Sequence, residues 1–184
     1  MQKATVLILP GWQGSGPLHW QMRWVALHGD VVVEQHDWMR PLRGDWLSRL
    51  DDVLSDLEGP VYLAAHSLGC IQVAAWAGVS AQCHKVNGAL LVAPGDVEAS
   101  HLLDLFSSWR PIDMKALAFP SILVGSQNDP YCTADRAQAF AKAWGSDYVD
   151  LGLKGHVNAE SYLGDWPEGR ALLNSLMKEK EHGH

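Results

Sequence analysis

The chain has 184 residues, of which 47% are hydrophobic and 19% charged, and its net charge is −7. This length predicts a single domain over residues 1–184 with a substantial core. The acidic balance, without any basic run, argues against a protein that binds nucleic acid through its phosphates. The apolar stretch at residues 6–9 is too short for a membrane span or a signal peptide, so we expect a cytoplasmic protein with no membrane association.

The cysteines have neither the spacing of metal ligands nor the even count of a disulfide framework. We therefore expect free, buried thiols, no metal site and no cofactor. The cysteines are Cys70, Cys83 and Cys132.

Short apolar runs alternate with helical patterns along the chain. The runs predict strands near residues 5–9, 31–34, 61–65, 88–92, 121–125 and 148–151. This alternation is typical of βα units joined by right-handed crossovers. It predicts an α/β fold with about six mostly parallel strands, helices on both faces and no large lid.

The helical patterns carry recognisable start and stop signals. Asp45 is a plausible cap for one helix, and Thr133 for another that Gly145 closes. The last helix begins near Pro167, and we expect a charged, frayed tail at residues 178–184. Several tryptophans lie on the apolar faces of these patterns and are expected in the core: Trp20, Trp24, Trp46, Trp76 and Trp144.

Residues 61–70 read Val-Tyr-Leu-Ala-Ala-His-Ser-Leu-Gly-Cys and predict a buried strand, a tight turn and a helix. Ser67 stands at the tip of the turn, which is the pattern of a nucleophile elbow. Ala65 and Gly69 occupy the two positions where glycine is usual, and alanine tolerates unusual backbone angles less well. A serine in such a turn can instead cap the helix, so the motif needs support from other residues.

Polar residues at the ends of other predicted strands provide that support. Asp129 follows the fifth strand and His156 the sixth, and ligand sites in open α/β sheets lie at the carboxyl ends of strands. The order Ser, Asp, His suits an α/β-hydrolase, with His156 as the base and Asp129 as the acid that orients it. Asp129 could instead be a turn residue before Pro130, with Asp96 as the rival acid, and His156 could be a solvated loop residue.

His66 adjoins Ser67, but strand alternation points it away, so we do not expect it to be the base. The other histidines before residue 102 are expected to be surface or packing residues. They are His19, His28, His36, His84 and His101.

A developing oxyanion needs two N–H donors, and the backbone N–H of Leu68, directly after the nucleophile, is the first candidate. The second should come from the loop at residues 10–17, where we expect the N–H of Trp12, with Gln13 as the alternative. Trp12, Gln13 and Trp109 are also candidate substrate contacts. Together with the leucines of residues 102–105, Trp12 and Trp109 are candidates for an apolar acyl pocket.

Several stretches resemble small serine hydrolases related to retinoblastoma-binding protein 9. They are residues 10–20, 65–70, 126–131 and, most specifically, 155–169, which includes Gly-His-Val-Asn-Ala-Glu-Ser and Gly-Asp-Trp-Pro-Glu-Gly. The resemblance spans nearly the whole chain and is of the kind seen in bacterial members. It implies a compact α/β-hydrolase without the large lid of bigger relatives, with Ser67, Asp129 and His156 as its catalytic triad.

The sequence therefore predicts a serine hydrolase that cleaves a small carboxylic ester, or an amide, through an acyl-enzyme on Ser67. The alternative is a protein-binding module that keeps the fold with little or no catalysis and engages a protein partner. Haloalkane chemistry is disfavoured because it needs a carboxylate at position 67. The absence of a large lid predicts an open site and modest substrates.

Overall fold

The structure is a computed structural model that describes residues 3–99 and 104–181. Its strands are β1 (Thr5–Leu9), β2 (Val31–Val32), β3 (Val61–His66), β4 (Val86–Val92), β5 (Ser121–Gly125) and β6 (Asp147–Asp150). They form one sheet in the order β2-β1-β3-β4-β5-β6, and each neighbouring pair is parallel. The predicted α/β fold with a parallel sheet is confirmed.

The helices are α1 (Trp20–His28), α2 (Arg43–Ser55), α3 (Leu68–Ala77), α4 (Ala134–Trp144) and α5 (Pro167–Glu181). Thr133 caps α4 by accepting a hydrogen bond from the N–H of Arg136, and Gly145 ends it at a φ of 72°, both as predicted. The α2 cap is different, because the helix begins directly after Leu42 and Asp45 lies inside its first turn. There its carboxylate interacts favourably with the positive end of the helix dipole but does not cap the helix.

The C-terminal end also differs from the prediction. Helix α5 continues to Glu181, so the first part of the predicted frayed tail is helical. Residues 182–184 lie outside the described part of the chain.

Apolar side chains cover both faces of the sheet, because successive strand residues point to opposite sides. Helices α1 and α5 pack on one face, while α2, α3 and α4 pack on the other. The tryptophans expected in the core are each at most 1% exposed, which confirms that prediction: Trp20, Trp24, Trp46, Trp76 and Trp144. Cys70 and Cys132 are buried free thiols as expected, whereas Cys83 is only partly buried.

The connection from β4 to β5 runs over residues 93–120. Its described part holds the 3-10 turn Ser107–Trp109 and no α-helix, which agrees with the expectation of no large lid. In the two described ranges, no helix is long and apolar enough to cross a membrane, and no group of three or more His, Cys, Asp or Glu side chains could hold a metal ion.

The turn between β3 and α3 brings the helix against β1. A Cβ atom added at Gly69 would overlap the backbone oxygen of Leu9. Ala65, the other small position, is a fully buried residue of β3 in regular register with Leu9 and Leu91. The unusual backbone lies at Ser67 instead, where φ is 54° and ψ is −121°. Alanine at position 65 therefore imposes no left-handed strain.

We predict that Gly69→Ala destabilises the protein by about 1–3 kcal/mol, because backbone atoms that the new methyl meets cannot rotate away. Gly44→Ala is the matched control. It lies in α2 with open space around it, so it should be neutral or up to about 1 kcal/mol more stable. Denaturant unfolding of both variants measures the difference. Equal stabilities would contradict the close approach of α3 to β1.

Candidate active site

Ser67 stands between β3 and α3 in the left-handed region of backbone space. Its N–H donates to the oxygen of Val92 at 3.1 Å, which ties the turn to β4. It occupies the N-cap position of α3, yet its side chain makes no cap hydrogen bond. The alternative role of Ser67 as a helix cap is therefore wrong, and its hydroxyl is left for another partner.

That partner is His156. Its Nε2 lies 2.9 Å from Ser67 Oγ, and its Nδ1 lies 2.9 Å from each carboxylate oxygen of Asp129. The carboxylate only accepts, so Nδ1 carries the proton and Nε2 presents its lone pair to the serine hydroxyl. The side chains of His156 and Asp129 are 10% and 2% exposed. The three predicted residues thus form one hydrogen-bonded row, which we call the Ser–His–Asp row.

Asp129 also serves as a turn residue, since its Oδ1 accepts the N–H of Tyr131 at 2.8 Å. The two interpretations of Asp129 are therefore compatible. The rival acid, Asp96, is engaged elsewhere: its Oδ2 lies 3.2 Å from Nε of Arg136. It makes no hydrogen bond to His156, so it does not take the place of Asp129 in the row.

Two aromatic rings contact the imidazole of His156. The centroid of Tyr131 is 4.6 Å away and that of His66 is 4.8 Å away. Among the described residues His66 makes no hydrogen bond to Ser67, which agrees with the prediction that it is not the base, and its Nε2 lies 2.8 Å from the backbone oxygen of His156. The chain pattern did not predict these contacts, because they join segments far apart in sequence.

His19 is a site residue that the sequence interpretation missed. It is 4% exposed, its Nδ1 caps α1 by accepting the N–H of Gln21, and its ring lies 4.6 Å from that of His66. Burial, and then the charge of His156, lowers the pKa of His19 to about 4. Burial, followed by the charges of His19 and His156, lowers the pKa of His66 well below its ordinary value. Both rings are therefore uncharged at neutral pH.

The loop after β1 approaches the elbow closely at Gly11. A Cβ added there would lie 2.8 Å from Ser67 Cβ and 3.2 Å from the nitrogen of Leu68. Leu68 is the first residue of α3, so its N–H has no partner within the helix. Among described residues, the backbone N–H of Trp12 also has no acceptor, whereas that of Gln13 donates to Trp38 O at 3.1 Å. Gln13 is therefore wrong as the alternative oxyanion donor.

A cavity of about 410 Å³ opens beside Ser67. Trp12 lies at its wall, 36% exposed, with its ring edge-to-face on Phe106 at 5.8 Å. Apolar and polar side chains share the lining, among them Trp12, Gln13, His19, Val97, Phe106 and Tyr131. Trp12 and Gln13 thus lie where the sequence predicted substrate contacts.

Trp109 does not lie there. It is 1% exposed, its Nε1 donates to the oxygen of Pro41 at 2.7 Å, and its ring packs on Trp46. The prediction that it contacts substrate is wrong, because the connection after β4 folds it into the core. Leu105, another candidate for the acyl pocket, is 43% exposed and is not among the residues that line the cavity. Leu102 and Leu103 lie outside the described residues.

The parallel sheet, the elbow and the Ser–His–Asp row at the strand ends define an α/β-hydrolase. A family model described as serine hydrolase matches residues 6–175. The chain therefore belongs to this serine hydrolase family. No curated protein matches the chain.

Solved structures agree with this fold. A YdeN-like hydrolase of Pectobacterium atrosepticum has a TM-score of 0.83 and 28% identity, covering 95% of this chain and 93% of its own. The ydeN gene product of B. subtilis has a TM-score of 0.72 and 18% identity, with coverages of 96% and 100%. An esterase from a Rhodococcus species has a TM-score of 0.65 and 13% identity, with coverages of 94% and 91%. The predicted compact α/β-hydrolase fold is confirmed.

We predict that the buried neutral His19 makes stability fall as the pH is lowered. Its pKa is about 4 in the folded chain against an ordinary 6.5, so between these values the unfolded chain binds more protons than the folded one. The contribution to stability is complete above pH 6.5 and is lost on descending towards pH 4. From pH 7 to pH 5, His19 alone should cost about 2 kcal/mol.

The matched variant is His19→Asn, which keeps a side-chain oxygen to cap α1 and removes the imidazole. Urea unfolding at both pH values should show a smaller loss in the variant than in the wild-type protein. Equal losses would mean that His19 is not held neutral in the fold.

Proposed function

We propose that the protein hydrolyses small carboxylic esters, or amides, through an acyl-enzyme on Ser67. Ser67 is the nucleophile, His156 the general base and acid, and Asp129 the residue that orients His156. The observation that carries the proposal is the unbroken row from Ser67 Oγ through His156 to Asp129, with 2.9 Å at each step. Its position beside the cavity supports the same conclusion.

In the first half of the reaction, Ser67 Oγ attacks the carbonyl carbon while its proton passes to His156 Nε2. The carbonyl π electrons move to oxygen and form a tetrahedral oxyanion. When this intermediate collapses, the bond to the leaving alcohol or amine breaks, and His156 returns the proton to it. Asp129 stabilises the charged imidazolium between the two proton transfers.

In the second half, water takes the place of the leaving group. His156 removes a proton from the water as its oxygen attacks the acyl carbon. Collapse of this second intermediate expels Ser67 Oγ, which recovers its proton from His156, and the carboxylic acid leaves. These steps use only side chains of the chain and water, so the proposed mechanism calls for no cofactor.

The oxyanion is proposed to accept hydrogen bonds from the backbone N–H groups of Leu68 and Trp12. Gly11 brings the Trp12 loop against the elbow, and neither N–H has an acceptor that would compete within the described residues. Backbone donors of this kind are preorganised, and loss of one typically costs about 10²–10³ in rate.

Within the family, we propose that the chain groups with hydrolases related to retinoblastoma-binding protein 9. The motif over residues 155–169 supports this grouping. It includes His156 and the loop that carries it.

We predict that a fluorophosphonate probe labels the wild-type protein and that Ser67→Ala abolishes labelling. The probe needs an activated hydroxyl that attacks phosphorus and expels fluoride, which only a functioning base provides. Intact-mass measurement reports one adduct per chain. Absence of labelling in the wild-type protein, or labelling that survives Ser67→Ala, would overturn the mechanism.

The role of the acid is separated by a matched pair in the same experiment. Asp129→Asn should slow labelling by about 10³–10⁴-fold, because the amide no longer holds the imidazole in the productive tautomer. Asp96→Asn removes the rival carboxylate, which pairs with Arg136, and should label at the wild-type rate. Slow labelling of Asp96→Asn, together with labelling of Asp129→Asn at the wild-type rate, would assign the role of the acid to Asp96.

We predict that p-nitrophenyl acetate and butyrate are cleaved with higher kcat/KM than long-chain esters. A cavity of about 410 Å³ is at the small end of ligand sites, and Phe106 closes part of its wall. Phe106→Val should move the optimum towards longer acyl chains. Long-chain esters turned over much faster than butyrate by the wild-type protein would contradict the proposal of modest substrates.

A further inference from the structure

Two consecutive residues of the chain contact His156 at opposite ends. Ser67 Oγ lies 2.9 Å from the imidazole Nε2, while His66 Nε2 lies 2.8 Å from the backbone oxygen of the same residue. A carbonyl oxygen can only accept, so His66 Nε2 carries the proton and donates it. The side chain and the backbone of the base are therefore both tied to the end of β3.

The next carbonyl in the chain is held as well. Trp20 Nε1 donates to the oxygen of Val157 at 2.9 Å. Trp20 is 1% exposed and lies at the start of α1. Two successive carbonyl groups of the loop after β6 thus accept hydrogen bonds from buried side chains on two different elements.

The backbone at this point is strained. Val157 has a φ of 50° and is fully buried. A β-branched residue rarely adopts a positive φ, and such a conformation costs about 1–3 kcal/mol. It persists only where the surrounding structure enforces it. The hydrogen bonds from Trp20 and His66 contribute to this, alongside those that the N–H groups of Val157 and Asn158 donate to Lys154 O at 3.2 Å and Ser161 Oγ at 3.0 Å.

We propose that His66 and Trp20 are positioning residues that hold the His156–Val157 backbone and thereby set the distance from His156 Nε2 to Ser67 Oγ. The inference rests on the proposed function, since it assigns these residues a part in that reaction. Trp20 is not among the residues that line the cavity, whereas His66 is, and the role proposed for both does not require contact with the substrate. Each acts through the base, by preventing the strained backbone from relaxing away from the elbow.

The size of the effect follows from the geometry that proton transfer requires. A displacement of about 1 Å between catalytic groups can cost about 10²-fold in rate. Relaxation of one carbonyl should move the imidazole by less than this. We therefore expect kcat to fall about 10-fold to 100-fold. KM should change little in a Trp20 variant, because Trp20 is not among the residues that line the cavity.

The first test compares two tryptophans of the same helix. Trp20→Phe and Trp24→Phe each remove a buried indole N–H, the first from Val157 O and the second from the oxygen of Asp165 at 2.8 Å. Both leave a similar void, so both should lose stability to a similar degree. Only Trp20→Phe should lower kcat for p-nitrophenyl butyrate and slow fluorophosphonate labelling. Equal loss of activity in the two variants would overturn the proposal.

The second test uses two unbranched side chains at position 66. His66→Gln places an N–H donor near the original Nε2, whereas His66→Met has a similar length and no donor. Rescue of kcat by glutamine but not by methionine is the expected result. Equal activity in both variants would show that the hydrogen bond to His156 O is not what matters.

A third measurement does not depend on turnover. The NMR signal of the His156 Nδ1 proton should shift in Trp20→Phe and stay unchanged in Trp24→Phe. An unchanged signal in every variant overturns the positioning role. If the fluorophosphonate probe does not label the wild-type protein, the proposed function is contradicted instead. Failure of the positioning role and failure of the proposed function are therefore distinguishable.

Discussion

The site depends on how closely the chain packs around the turn between β3 and α3. Gly69 has no side chain, so α3 can begin against the backbone of Leu9, and Gly11 lets the loop after β1 reach the same turn. These approaches leave Ser67 in a left-handed conformation that costs about 1–3 kcal/mol and needs a rigid frame to persist. The frame is the sheet itself, whose central strands are buried on both faces. The nucleophile is thus placed by core packing and not by contacts of its own side chain.

The electrostatics around the base follow from the same burial. During the proposed reaction His156 gains a positive charge, and the buried carboxylate of Asp129 compensates it directly. The neighbouring rings of His19 and His66 add no second positive charge, because burial lowers the pKa of each. A histidine beside another histidine would otherwise oppose the protonation on which the mechanism depends. During the proposed reaction the charges in this cluster of imidazoles are therefore limited to one pair, the His156 imidazolium and the Asp129 carboxylate.

The sequence sufficed to predict those site residues whose position follows from the end of a predicted strand. Ser67, Asp129 and His156 each follow a buried strand, and parallel strands end at one edge of the sheet, so their meeting follows from strand order alone. Contacts between segments that are far apart in the chain could not be predicted from the sequence. Trp109 lies in the core and donates a hydrogen bond to the oxygen of Pro41. No sequence pattern near Trp109 indicates this contact. The hydrogen bond that the Gln13 N–H donates to the backbone oxygen of Trp38 is of the same kind.

Strand alternation explains why β3 can reach both ends of the base. In the regular strand the side chains of consecutive residues leave on opposite sides, and the sharp backbone turn at Ser67 then swings its hydroxyl into the cavity. His66 stays on the side where α1 packs, next to Trp20, and from there meets the backbone of His156. The helix face that buries Trp20 is thereby joined to the catalytic loop through Val157. Packing on that face bears on the alignment of the base as well as on stability, even though Trp20 itself is not among the residues that line the cavity.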